Sequence, residues 1–89
     1  MSVWSLRLTA SARRSLDRLP AKAAAAAVES LLGPLLQEPR RVGKPLTRSP
    51  TGYWSARRGE YRVIYSLDDA VGAVNVVRIG HRSRVYGRR

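Results

Sequence analysis

The chain has 89 residues, 17 of them Lys or Arg against 6 Asp or Glu, giving a formal charge of +11, with no cysteine and one histidine. The missing cysteines exclude disulfides, zinc ribbons, iron–sulfur sites and thiol nucleophiles, and His81 alone excludes a histidine-rich metal centre or a two-histidine acid/base pair within one chain. A chain this short has room for one domain, residues 1–89, and its 44% hydrophobic content still allows a packed core.

Trp4, Leu6 and Leu8 alternate with Val3, Ser5 and Arg7, the period-2 pattern of a half-buried strand. Thr9 or Ser11 is placed to cap a helix with Ala12, Leu16 and Leu19 on one face and Arg13, Arg14, Asp17 and Arg18 in water; Pro20 ends it. A second helix starts near Ala21, favoured by its alanines, with Val28, Leu31, Leu32 and Leu35 as the expected core stripe. Gly33-Pro34 should kink or interrupt it, because Pro34 has no amide to offer the turn. Residues 37–52 hold Pro39, Gly43, Pro45, Pro50 and Gly52 among scattered Arg and read as a long ordered loop.

From Tyr53 the character changes to β: Tyr53 to Arg58, Tyr61 to Leu67 and Val74 to Ile79 are strand-like runs joined by short connections, hence two antiparallel hairpins. Asp68-Asp69 fits turn chemistry. Trp4 and Trp54 read as core residues. The expected fold is α+β, in the order β-α-α-β-β-β, with two helices on one face of a small, mainly antiparallel four-stranded sheet. The opposite face is then only partly covered, and Arg57, Arg62, Arg78 and Arg82, within or just past strands, are placed to collect there. Met1 to Arg7 lacks a secretory apolar run, and the stretch from Ala23 to Leu36 is too short to span a bilayer, so the expectation is a cytoplasmic protein without a membrane partner.

Fifteen of the 17 basic residues are Arg. Arg grips phosphate oxygens in pairs, although a GC-rich genome enriches Arg and Ala everywhere, so net charge is the stronger indication of a polyanionic partner. The acids are scattered and form no magnesium cluster; no phosphate loop and no serine elbow appear. RNA cleavage by the RNA's own 2′-hydroxyl survives these exclusions, because it needs neither a protein nucleophile nor a metal or other cofactor. Attack of O2′ on the adjacent phosphorus builds charge on the nonbridging oxygens and the leaving O5′, which fixed Arg forks stabilise. Arg62, in register with apolar Ile64, is the most informative candidate; Arg57, Arg58 and Tyr86 read equally well as solvated or packing residues, and His81 suits either a turn or proton transfer.

The run Gly59-Glu60-Tyr61-Arg62-Val63-Ile64-Tyr65, then Asp68-Asp69, Val76 to Arg82 and Val85-Tyr86 resembles the RelE branch of the RelE/ParE toxin superfamily, as do Val42 to Leu46 and Ser55 to Gly59, closest to RelG-type members. The resemblance implies a toxin of a type II toxin–antitoxin pair, an endoribonuclease that cuts mRNA in the ribosomal A site. It implies that Arg62 stabilises phosphate charge, that Arg82 lies near the leaving group and that Tyr86 stacks with or orients the substrate, with His81 assisting. Lys44, Arg57, Arg58, Arg78 and Arg84 would contact RNA. The implied partners are the ribosome with its mRNA and a RelB-like antitoxin with an acidic segment, through which operator DNA is bound indirectly. The chain departs from the family on the strand before Arg62, where well-known members carry two lysines and this sequence has Tyr53 and Ser55; Arg57, Arg58, His81 and Lys44 are the groups available instead. Two rival readings are a gyrase-binding toxin of the ParE type and a basic RNA- or ribosome-binding domain without activity.

Overall fold

The computed structural model describes residues 4–46 and 52–81. Strand β1 (Ser5–Leu8) leads into helix α1 (Ala10–Arg18), whose N-cap is Thr9: its hydroxyl accepts the Ala12 amide at 3.0 Å, satisfying one of the unbonded donors of the first turn. Leu19 lies in the extended region, as a residue before proline is driven to do, and the chain restarts as α2 (Ala21–Leu32). At Gly33 the helix breaks. Pro34 and Pro39 each open a single helical turn, α3 (Pro34–Gln37) and α4 (Pro39–Val42), at the position where a missing amide is no loss.

Strands β2 (Lys44–Pro45), β3 (Trp54–Arg58), β4 (Tyr61–Asp68) and β5 (Ala73–His81) complete a sheet in the order β1-β5-β4-β3-β2. Only β1 and β5 run parallel; the other neighbours are antiparallel. The α+β class, the element order and the helices on one face agree with the sequence reading, but the sheet has five strands instead of four. The additional strand, β2, and the turn α4 lie inside the segment expected to be loop. Two residues suffice for β2 because it is an edge strand, where Pro45 removes no ladder bond that a further neighbour would need.

Ala12, Ala27, Leu31, Leu35 and Leu36 pack against Ala56, Val63, Tyr65, Val74, Val76 and Ile79, with Trp4 and Trp54 partly buried at the margin. Val28 and Leu32, expected in the core stripe, are instead 39% and 61% exposed. The helix is rotated so that Ala27 and Leu31 meet the sheet, and small Ala27 lets the backbone approach closely; Val28 and Leu32, one position further round at 100° per residue, point away. Asp68 does the turn chemistry expected of it, accepting the Ala70 amide at 3.1 Å, while Asp69 grips Arg40 through both oxygens at 2.7 and 2.8 Å. Arg40 in turn lies 5.5 Å from the ring centroid of Trp4. Among the described residues no helix is long and apolar enough to cross a membrane.

Tyr65 is the largest fully buried side chain, and its hydroxyl donates to the Pro39 carbonyl at 2.5 Å, tying β4 to α4. Burial pushes its pKa from 10.0 up to about 12. Below pH 10 the phenol is protonated in both folded and unfolded chains. Between pH 10 and 12 only the unfolded chain ionises, so the folded state holds more protons and stability falls as pH rises, by about 3 kcal/mol in all. Urea unfolding at pH 9 and pH 11 should show about half of this loss in the parent and a clearly smaller one in Tyr65→Phe; equal losses would mean that another group carries the alkaline transition.

Candidate nucleic-acid interface

The register of the sheet decides which side chains share the face away from the helices, because directly paired residues project to the same side. Arg57 pairs with Arg62, Arg62 with Gly80, Ser55 with Ile64, Ile64 with Arg78, and Lys44 with Ser55. Lys44, Arg57, Arg62 and Arg78 therefore stand on one face, drawn from four strands. Gly80, directly opposite Arg62, carries no side chain. Arg62 is half-buried with its Nε shielded from solvent, whereas Lys44, Arg57 and Arg78 are exposed.

Arg78 reaches this face through an irregularity. The pairing slips between Ile64 and Tyr65, which sit opposite Arg78 and Val76, so that Val77 is the extra residue of a β-bulge. Strict alternation would put residues 76 and 78 on the same side; the bulge sends Val76 into the core, fully buried, and turns Arg78 out into water. Arg7 joins the same face from β1, opposite Asn75, which is itself opposite Ser66. It was not among the sequence-derived candidates, although its place between Leu6 and Leu8 was the available signal. The acids that contact basic or imidazole side chains lie away from the centre of this face: Glu38 pairs with Arg41 in α4, Asp69 in the β4–β5 turn with Arg40, and Glu60 in the β3–β4 turn lies within hydrogen-bond distance of His81. Among the described residues no three His, Cys, Asp or Glu side chains come together as a metal site.

A family model described as the ParE toxin of type II toxin–antitoxin systems matches residues 6–86. The chain is 49% identical over 83 residues to Toxin RelE of Mycobacterium tuberculosis, covering 93% of this chain and 86% of that one. It is 47% identical over 85 residues to Toxin RelG of the same organism, covering 96% and 98%. This chain belongs to the RelE/ParE family of type II toxins. The crystal structure of the M. tuberculosis toxin–antitoxin complex RelBE2 superposes with a TM-score of 0.86 at 47% identity, over 91% of this chain and 100% of that one.

The toxin divides the remaining sequence-derived candidates between two places. Arg58 pairs with Tyr61 and Tyr61 with His81, so these three project to the helix side of the sheet. The Tyr61 and His81 rings meet edge to face at 5.8 Å, and His81 Nε2 lies 3.2 Å from Glu60 Oε1. Tyr61 and His81 line a cleft of about 760 Å³ against α1, with Arg14 and Arg18 on its walls. The sheet thus separates Arg58 and His81 from Arg62. Arg82, Arg84 and Tyr86 lie outside the described residues.

Arg57 and Arg62 face each other as direct cross-strand partners, and like charges so placed oppose folding by a few tenths of a kcal/mol up to about 1. Arg57→Ala should therefore raise the melting temperature slightly at low ionic strength, by a few degrees at most, with the gain shrinking in 0.5 M salt as the repulsion is screened. The same substitution should weaken RNA binding. A lowered melting temperature at low salt would show that Arg57 supports the fold instead of loading it with charge.

Proposed function

We propose that this toxin is a ribosome-dependent endoribonuclease that cuts mRNA in the A site by attack of the message's own 2′-hydroxyl. The observation that supports the reading best is the convergence of Arg57, Arg62 and Arg78 from three strands on the face away from the helices, a cationic surface suited to a phosphodiester backbone. In this reading Arg62, fixed by its half-buried position on a central strand, donates to the nonbridging oxygens of the scissile phosphate, where charge grows as O2′ attacks. Exposed Arg57 and Arg78 hold the flanking backbone, and Lys44 adds charge at the sheet edge. Arg82 and Tyr86 complete the site as the family resemblance implies, near the leaving group and against a base, with Arg84 beside them on the RNA. Rigid strands suit this work because the donors need no reorganisation when the transition state forms.

The partner of the free toxin is a RelB-like antitoxin with an acidic segment; the charge of +11 favours such a segment, and the RelBE2 complex of M. tuberculosis is the related precedent.

The test adds purified toxin to ribosomes stalled on a defined message and maps cleavage by primer extension. A cut within the A-site codon, absent from the same RNA free in solution, is the expected result. An intact message together with arrest of gyrase supercoiling would favour the gyrase-binding reading, and salt-sensitive binding with intact RNA would favour an inert basic domain.

A further inference from the structure

In-line attack by O2′ requires one proton to leave that hydroxyl and another to reach the departing O5′. Of the side chains that the register sets on the open face, the arginines hold their protons too tightly to release them, and Ser55 is buried and small. Lys44 is different. Its ammonium is exposed, and it is one of two lysines in the chain, the other, Lys22, lying on α2.

The backbone around Lys44 is closely held. Gly43 is buried so tightly that a Cβ there would fall 2.0 Å from the Tyr65 hydroxyl, and Pro45 follows with its restricted φ. Lys44 is paired with Ser55, two strands from Arg62 and two residues along, a backbone separation of about 12 Å from strand geometry. Two long side chains at that separation can reach a single phosphodiester lying between them, Arg62 at the nonbridging oxygens and Lys44 at the leaving oxygen.

Resting on the ribonuclease reading above, the structure assigns Lys44 as the general acid that protonates the leaving 5′-oxygen. O2′ forms a bond to phosphorus while its proton passes to solvent water; the P–O5′ bond breaks with its electron pair on O5′, which takes a proton from Lys44 Nζ. The products are a 2′,3′-cyclic phosphate and a 5′-hydroxyl, and water reprotonates the amine.

The experiment compares single-turnover cleavage on stalled ribosomes by the parent, Lys44→Ala, Lys44→Arg and, as a control on the other side of the molecule, Lys22→Arg. Each is run on an ordinary message and on one with sulfur in place of the scissile 5′-bridging oxygen, a leaving group that departs without a proton. On the ordinary message both Lys44 variants should be about 100-fold slower, Lys44→Arg should bind ribosomes as the parent does, and Lys22→Arg should be unchanged. On the sulfur message the Lys44→Arg deficit should vanish. Parent-like cleavage by Lys44→Arg, or a deficit that persists on the sulfur message, overturns the assignment by reducing Lys44 to a charge. An ordinary message left whole by the parent rejects the ribonuclease reading itself, and the role of Lys44 with it.

Discussion

Arg62→Ala is expected to lower A-site cleavage about 100- to 1,000-fold, equivalent to losing about 3 to 4 kcal/mol of transition-state stabilisation, while leaving ribosome binding largely in place. The size follows from position. Arg62 sits on β4, between β3 and β5, half-buried and with its Nε out of water, so its fork is held in a drier setting than that of any exposed arginine on the same face. Arg57 and Arg78 are exposed, and water competes for whatever they bind. Arg62→Lys separates charge from geometry: a lysine keeps the positive charge but loses the planar pair of donors, so its activity should fall between parent and alanine. Single-turnover rates on stalled ribosomes, with circular dichroism to verify folding, decide the matter. An alanine variant within tenfold of the parent would remove Arg62 from the site.

The second large effect is structural. Gly43→Ala places a methyl group 2.0 Å from the Tyr65 hydroxyl and 2.9 Å from the Ser55 carbonyl oxygen, neither of which has room to retreat. Tyr65 is fully buried and hydrogen-bonded to Pro39, and the Ser55 carbonyl belongs to β3 beside β2. Overpacking of this kind, with loss of the phenol's hydrogen bond, should cost about 3 to 5 kcal/mol, a fall in melting temperature of roughly 15 °C or more for a domain of this size. Tyr65→Phe removes the closest atom, so Gly43→Ala should be less damaging in that background than in the parent, and a double-mutant cycle by thermal unfolding would read the difference. Strictly additive costs would show that the hydroxyl is not what Gly43 accommodates. Because Lys44 follows Gly43 directly, the substitution should also impair any function of the β2 edge.

The local chemistry of the sequence determined most of the elements. Alternation of Leu6 and Leu8 with Ser5 and Arg7 appears as β1, Thr9 caps the first helix, and Gly33-Pro34 breaks the second, since capping and proline sterics act between near neighbours whatever the rest of the chain does. The three later strands and their turns were legible for the same reason, as was the placing of Arg62 beside Ile64 on one face. The motifs through Tyr65 and Ile79 also carried the family assignment.

Contacts between distant segments decided what remained. Periodicity could not distinguish the Ala27 and Leu31 face of α2 from the Val28 and Leu32 face, because an alanine that lets two backbones approach is not marked as core by its hydrophobicity. Strand β2 has two residues, too few for any period, and exists because β3 supplies its hydrogen bonds. Which arginines meet was likewise a matter of register: the β3–β4 pairing sets Arg57 against Arg62 and sends Arg58 and His81 to the other side. The bulge at Val77 turned Arg78 out. Its trace was the broken alternation of Val74, Val76, Val77 and Ile79, but a slip of one residue changes faces only relative to a partner strand, and that partner is fixed by the fold.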